Sequence, residues 1–283
     1  MLHDVAIIGS GLFGSIIGAN LRKNGRSVVF IDANYQEAGS KAAACLMRPS
    51  WLSAMKGEVL DRSMETLDSL YGVQQIDFDV AKVLPVKVNW VPPKKILVEK
   101  PLIGKVGSLV KTDEGYLLKL STPIAGYFEK IEARTVIVAA GIWTPQLIPM
   151  EEMKAQAGVA FVWKNLAIEK PFITPWAPYK QLVGFNRGDG LWMGDGTGIL
   201  YKNWTQETTK LSYLRCAKTI DRVGFGDTSR GLATTFFGLR PYAKRPVCYL
   251  ENPLPNVWVA TGGAKNGTAA AGWCAYEIER RTK

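Results

Sequence analysis

The sequence predicts an α/β fold: a parallel sheet joined by helices, interleaved with a smaller antiparallel-sheet domain. Three observations carry this. Near the start, the apolar run Val5-Ala6-Ile7-Ile8 enters Gly9-Ser10-Gly11-Leu12-Phe13-Gly14. It continues as a helix-like stretch and returns as Val28-Val29-Phe30-Ile31, ending at Asp32. In mid-chain, Thr135-Val136-Ile137-Val138-Ala139-Ala140-Gly141 reads as a buried strand, and near the end Val257-Trp258-Val259-Ala260-Thr261 leads through a glycine-rich turn into an alanine-rich helix running to Arg281. Between these segments, polar and apolar residues alternate with the period of antiparallel strands.

The first unit is a complete dinucleotide fingerprint. Gly9 permits the tight turn, Gly11 lets the backbone approach a pyrophosphate, and Gly14 lets helix and strand pack closely. The helix start at Leu12 and Phe13 offers N–H groups and a partial positive charge to phosphates. Asp32, 18 residues after Gly14, is placed to accept from ribose hydroxyls. A lone GxGxxG is weak; flanking strands and an acidic end make it an adenine dinucleotide site.

After Asp32, the small residues Ala38-Gly39-Ser40-Lys41-Ala42-Ala43-Ala44-Cys45 let backbone approach a bulky planar ligand, and Leu46-Met47-Arg48-Pro49-Ser50-Trp51 follows. A helix is expected from about Met55 to Tyr71, with Leu60, Met64, Leu67 and Leu70 on one face. Residues 73–100 alternate and carry Pro85, Pro92 and Pro93, which suggests strands with interrupted edges. From Val106 a three-strand meander is expected, with Tyr116 to Leu120 in the middle, ending in the buried strand before Gly141. That strand returns the chain to the ligand-binding carboxyl edge of the first sheet. A second sheet is expected from Gly158–Val162, Gln181–Asn186 and Leu191–Gly194, then a helix with Leu211, Leu214 and Ala217 on its apolar side.

Composition narrows the function. At 283 residues and 47% hydrophobic content the chain holds one large core or two joined domains. Glycines interrupt the first apolar run and no basic segment precedes it, so a membrane span or leader is not expected and the cytoplasm is the expected location. Cys45, Cys216, Cys248 and Cys274 lie far apart and His3 is the only histidine, which argues against a metal site and against a histidine-dependent triad. The charge of +10 calls for an explanation. Basic residues recur beside aromatics in Trp90-Val91-Pro92-Pro93-Lys94-Lys95, from Lys170-Pro171-Phe172 to Trp176 and Tyr179-Lys180, in Tyr201-Lys202-Asn203-Trp204, and in Arg240-Pro241-Tyr242-Ala243-Lys244-Arg245. Cations that hold phosphates beside rings that stack on bases suit DNA or RNA. A solvated surface with scattered lysines is the other reading.

The chain resembles the D-amino acid oxidase superfamily, within it the glycine oxidase and sarcosine oxidase branch. It is also similar to the oxidoreductase domain of the transfer-RNA-modifying enzymes that act on carboxymethylaminomethyl-uridine. The fingerprint, Gly39-Ser40-Lys41-Ala42-Ala43, Val138-Ala139-Ala140-Gly141-Ile142-Trp143, Gly238-Leu239-Arg240-Pro241 and Gly262-Gly263-Ala264-Lys265-Asn266-Gly267-Thr268 occur in the family's order. The resemblance implies a Rossmann-like FAD-binding domain made of 1–50, 101–150 and 236–283, and a substrate domain made of 51–100 and 151–235. It implies non-covalent FAD, with the N-terminal glycines on the pyrophosphate, Asp32 on the adenosine ribose and Val106 near the adenine. Ser40, Lys41, Ala42, Ala140, Gly141 and Trp143 line the site, and Gly262 to Thr268 cover the flavin. A helix start there would stabilise negative charge on reduced flavin, and Lys265 would add a full positive charge.

Arg240 is implied to bind the substrate carboxylate, since a guanidinium fork matches that group with two parallel hydrogen bonds. A structural ion pair with Asp227 is the alternative. Arg48 is a second candidate clamp, or an interdomain salt bridge; Trp51 and Trp143 are candidate walls. The chain departs from the family in three places. A helical insertion between about Val86 and Val106 is missing, Cys45 stands where glycine is common, and Lys265 stands where glycine oxidases carry arginine.

The chemistry implied is oxidation of the C–N bond of a glycine-type amine by hydride transfer to flavin N5, then hydrolysis of the imine. The substrate is either such a group on a modified pyrimidine of a nucleic acid, which the basic charge and missing insertion favour, or free glycine, sarcosine or another small amino acid. A non-catalytic FAD-containing nucleic-acid or partner-binding module is the third reading.

Overall fold

In the computed structural model, residues 2–52, 54–80, 83–98, 100–122, 130–150, 153–177, 180–222 and 233–282 are described. The chain opens with β1 (Leu2–Ile8), α1 (Leu12–Lys23), β2 (Val28–Asp32) and β3 (Leu46–Met47). It continues through α2 (Glu58–Tyr71), β4 (Gln74–Val80), β5 (Val83–Trp90), α3 (Pro93–Ile96) and β6 (Leu102–Ile103). The meander follows as β7 (Val106–Lys111), β8 (Tyr116–Leu120) and β9 (Lys130–Val138). The second half holds β10 (Lys154–Trp163), β11 (Phe172–Ala177), β12 (Lys180–Asn186), β13 (Leu191–Gly194), β14 (Ile199–Leu200) and α4 (Gln206–Arg222). It ends with β15 (Thr234–Tyr242), β16 (Tyr249–Leu254), β17 (Val257–Thr261) and α5 (Gly267–Arg281).

The first sheet has eight strands in the order β16-β17-β9-β1-β2-β6, with β8 on β9 and β7 on β8. Its centre is parallel: β1 pairs with β2 from Val5↔Val28 and with β9 from Leu2↔Glu132, and β17 pairs with β9 from Val257↔Val136. Strand periodicity divides its residues between two cores. Ile7, Ile137, Trp258 and Ala260 face α1, α2 and α5, while Ala6, Ile8, Val136, Val138, Val257 and Val259 face the β7–β8 hairpin. Both faces are therefore apolar, which explains the unbroken Val/Ile/Ala runs.

The second sheet has nine strands, ordered β14-β10-β13-β12-β11-β4-β5-β3 with β15 on β10, so by strand number it is not the smaller one. All its pairings are antiparallel except β11 with β4. Two boundaries differ from those expected. The strands β3 and β15 lie in this sheet, although they fall within the segments 1–50 and 236–283 assigned to the nucleotide domain. The α4 helix also differs: Leu211 and Leu214 are 42% and 39% exposed, and Ser212, Cys216, Ala217 and Ile220 form the buried face. Positions 212, 216 and 220 share one face at 3.6 residues per turn, and their mixed polarity hides that stripe from a search for large apolar side chains. Among the described residues no helix is long and apolar enough to cross a membrane.

The two sheets meet through bare backbone. Ala38 bridges Leu239 in parallel register, and Leu239 N–H donates to Glu37 O at 2.8 Å. A Cβ on Gly238 would lie 2.9 Å from Gly39 Cα, and one on Gly39 would lie 2.7 Å from Leu239 O. Nearby, Cys45 adopts a left-handed conformation with φ +56° and is buried. That conformation costs a side-chain-bearing residue about 1–2 kcal/mol, and it explains why glycine suits this position. Burial pushes the Cys45 thiol up to about 12 and raises those of Cys216 and Cys274 as well.

Gly238→Ala is expected to destabilise the protein by about 1–3 kcal/mol through overpacking, read as a lower urea midpoint at unchanged slope. With their thiols held protonated, Cys45, Cys216 and Cys274 should resist iodoacetamide at about pH 8 in the native protein. The half-buried Cys248 should react first; peptide mass spectrometry reads the order, and prompt labelling of Cys45 would contradict its burial.

Candidate active site

A cleft of about 510 Å³ opens at the carboxyl ends of β1, β2, β9 and β17, where open α/β sheets bind ligands, and runs on to the β15 face of the second sheet. All five sequence elements reach it. At its first end, Gly9 takes φ +100°, and a Cβ there would lie 2.5 Å from Ala139 O, so the turn demands glycine. Gly11 faces Ser40: a Cβ would come 2.7 Å from Ser40 Oγ, which itself accepts from Leu12 N–H at 2.9 Å. Gly14 sits outside the cleft with its Cα against Gly9 O and the Ile7 side chain, the close helix–strand contact expected of it.

Asp32 lines the cleft and also holds it in shape. Its Oδ2 accepts from Ser10 N–H and Oγ–H at 2.6 and 2.7 Å, and its Oδ1 accepts from Asn34 N–H at 2.6 Å. A carboxylate has about four acceptor positions, so one remains for a ligand hydroxyl. Leu12, Phe13, Ser40, Ala42, Val106, Ala140, Gly141 and Trp143 lie on the wall as expected. Trp143 stacks on Tyr35 with ring centroids 4.3 Å apart, which makes a flat aromatic surface.

At the other end stand Arg240, Lys265 and Lys180. The Arg240 guanidinium lies in a slot made by missing side chains: a Cβ on Gly158 would lie 2.5 Å from Nη2, and one on Gly198 3.2 Å from Nη1. Its one hydrogen bond among the described residues is a long one, Nη1 to Thr197 O at 3.5 Å. A guanidinium carries five N–H donors, so most remain for a ligand. Lys265 turns its ammonium inward to Gly196 O at 3.0 Å. Desolvation, then Arg240 and Lys180, lower the Lys265 pKa, and Asp195 opposes them. Gly263, Asn266, Gly267 and Thr268 complete this wall, with α5 starting at Gly267 and presenting its positive end.

Besides Gly14, three expected residues are not brought into the cleft. Arg48 lies over the Trp51 ring at 5.8 Å, and Lys41 donates to Tyr35 O at 2.9 Å and Asn34 Oδ1 at 3.2 Å. Gly262 supports the turn from behind with φ +80°, packed against Ala243. Asp227 and Tyr179 lie outside the described residues, as does the Trp176 side chain. Wall residues that sequence reasoning missed include Tyr35, Gln181, Val159 and Trp192, whose buried indole N–H lacks a protein acceptor. They come from strands and loops without a motif: the pairing of β10, β12 and β13 gathers Val159, Gln181 and Trp192, and stacking on Trp143 places Tyr35.

No protein-family model matches the sequence, and no curated protein is similar enough in sequence to count as a relative. Solved structures are similar in fold. Glycine oxidase from Bacillus cereus superposes with a TM-score of 0.66 at 14% identity, over 99% of this chain and 96% of that one. Iminodiacetate oxidase from Chelativorans sp. gives 0.62 at 16% identity over 96% and 93%. Dithionite-reduced L-α-glycerophosphate oxidase from Mycoplasma pneumoniae, solved with FAD bound, gives 0.68 at 14% identity over 99% and 94%. The chain has the fold seen in glycine oxidase, iminodiacetate oxidase and L-α-glycerophosphate oxidase.

Proposed function

We propose that the protein is an FAD-dependent oxidoreductase acting on the C–N bond of a glycine-type amine. The observation that carries this reading is Arg240: a guanidinium with free donors, seated in a glycine slot on the same cleft as a complete dinucleotide fingerprint. The cradle fits the cofactor, since bare backbone at Gly9 and Gly11 lines it where a Cβ would displace Ala139 or Ser40, and Asp32 keeps an acceptor position at its adenosine end. FAD, when bound, supplies the hydride acceptor. Gly9, Gly11, Leu12 and Phe13 would take the pyrophosphate, Val106 the adenine side, and Gly263 to Thr268 the flavin end. Cys45 is the described cysteine on the wall, and its thiol, pushed to about 12, stays neutral, which favours non-covalent binding.

The chain's own task is alignment. Arg240 holds the substrate carboxylate, Lys265 and the positive end of α5 stabilise developing negative charge, and the apolar walls limit water around the reacting carbon. No histidine is required, because hydride leaves from carbon while the amine is neutral; water then hydrolyses the imine.

The preferred substrate form is a glycine-type group on a pyrimidine of a nucleic acid. Supporting it, Tyr201 and Tyr242 are 50% and 40% exposed beside the exposed cations Lys202 and Lys244, the first just after β14 and the second on β15 with Arg240, both strands that pair with β10. The short α3 lies in the stretch where the family's helical insertion was read as missing, and it presents Lys94 and Lys95 to solvent. Free glycine or sarcosine is the competing substrate.

The protein should purify yellow and release FAD on heat denaturation, and Gly11→Val should abolish flavin content; flavin left in the precipitate, or a yellow variant, would refute the assignment. Arg240→Ala should keep FAD but lose about 2–4 kcal/mol in kcat/KM, roughly 30- to 1,000-fold. Arg240→Lys should recover part of that; full activity in Arg240→Ala would move the carboxylate anchor elsewhere. Turnover of a glycylated oligonucleotide should weaken steeply with salt while that of the matching nucleoside changes little, and Lys202→Glu should raise KM on the oligonucleotide more than on the nucleoside. Fast oxidation of sarcosine with no flavin bleaching by the oligonucleotide at low salt would return the substrate to free amino acids.

A further inference from the structure

Between β13 and β14 the turn Gly194-Asp195-Gly196-Thr197-Gly198 passes behind the substrate end of the cleft. Its backbone carbonyls hold both cations discussed above: Gly196 O accepts from Lys265 Nζ at 3.0 Å, and Thr197 O from Arg240 Nη1 at 3.5 Å. The turn is itself tied down from within. Asp195 is completely buried, its Oδ1 accepting from Thr197 N–H at 2.9 Å and its Oδ2 from Thr197 Oγ–H at 2.8 Å. Arg215 of α4 reaches the same Oδ2 from outside at 3.0 Å. Gly196 carries φ +66°, so the two carbonyls point where they do because a left-handed residue separates them from the acid.

We infer that Asp195 is a positioning residue for substrate binding: through Thr197 and Arg215 it fixes the turn whose carbonyls hold Arg240 and Lys265 in the cleft. The inference rests on the reading of Arg240 as carboxylate anchor. Asp195 touches no ligand, since the turn lies between it and the cleft, and it acts through geometry and charge. Three cations share one end of the cleft, and like charges brought together under partial desolvation repel. A buried carboxylate behind them offsets that repulsion without occupying ligand space. Had it stood in front, it would have paired with Arg240 directly and competed with the substrate. The device also explains why Arg240 faces a carbonyl rather than an acid: a neutral dipole orients the guanidinium and leaves its charge for the ligand.

The test compares the parent protein with Asp195→Asn and Thr197→Val. Competitive acetylation across pH, read at the Lys265 peptide by mass spectrometry, gives the titration midpoint of Lys265 without reference to catalysis. Among the described residues, Arg240, Lys180 and Asp195 are the charged groups that act on it, and Arg215 pairs with Asp195 behind them. Removing the Asp195 charge while the turn holds should lower that midpoint, because Asp195 is the group that raises it. A turn that merely collapsed would free the Lys265 ammonium from Gly196 O and from the desolvation and the cations that lower its pKa, and move the midpoint up. With sarcosine or the carboxymethylaminomethyl-pyrimidine nucleoside, whichever is oxidised faster, KM should rise about tenfold in Asp195→Asn while kcat changes little, the pattern of lost ground-state binding. Thr197→Val keeps the charge and loses one hydrogen bond, so KM should rise about threefold with the Lys265 midpoint unmoved. An unmoved or raised midpoint in Asp195→Asn, or an unchanged KM in Thr197→Val, would overturn the inference. If the parent oxidises neither amine, the carboxylate reading falls and the Lys265 profile alone decides the role of Asp195.

Discussion

Everything in the cleft depends on one approach of backbone to backbone, between Gly39 and Gly238. The first belongs to the crossover after β2 of the parallel sheet, the second to β15 of the other sheet. With the Leu239 N–H bond to Glu37 O and the bridge at Ala38, the contact splices a strand of the second sheet onto a loop of the first. Arg240 stands two residues beyond Gly238 and Ser40 one beyond Gly39, so the Arg240 end of the cleft and the Ser40 wall are registered against each other by the same contact. A single methyl group at either glycine would push the halves of the cleft apart.

The fold was legible where backbone geometry alone dictates residue type. The Gly9–Gly14 turn, the parity of the Ile7 and Val136 sets and the Ala-rich α5 are local patterns, and the structure places them as read. Legibility failed where a residue's partner is distant. Leu211 and Leu214 suggest a buried stripe, yet packing against β10 and β13 selects the face with Ser212 and Cys216. Arg48 follows the small-residue element but turns onto Trp51, for nothing in its neighbours fixes which way the side chain leaves the chain.

The site divides in the same manner. Arg240 and Lys265 stand in motifs and were visible; what holds them was not. Gly158 and Gly198 carry no motif, and only the register of β10 against β15 turns Gly158 into a slot for Arg240. Asp195 is hidden more deeply, since its partner Arg215 comes from a helix 20 residues on. Asp32 was read as a ligand group, and the structure adds a further task, because the carboxylate that faces the cleft also ties Ser10 and Asn34 into the turn. Removing it would disturb the cradle as well as any ribose contact, so the two tasks cannot be separated by a simple deletion.

The helix α1 finds its main helical neighbour at the far end of the chain. It packs on α5, and Asn20 Nδ2–H donates to Ala275 O across 255 residues. In kinetic terms the β1–α1 unit is completed by distant sequence: β1 finds its second neighbour in β9 and α1 its main helical neighbour in α5. Closure of so long a loop before its contacts form is slow. Until then part of the apolar surface of β1 and α1 stays open, and such transiently exposed surface is where a partly folded chain is prone to aggregate.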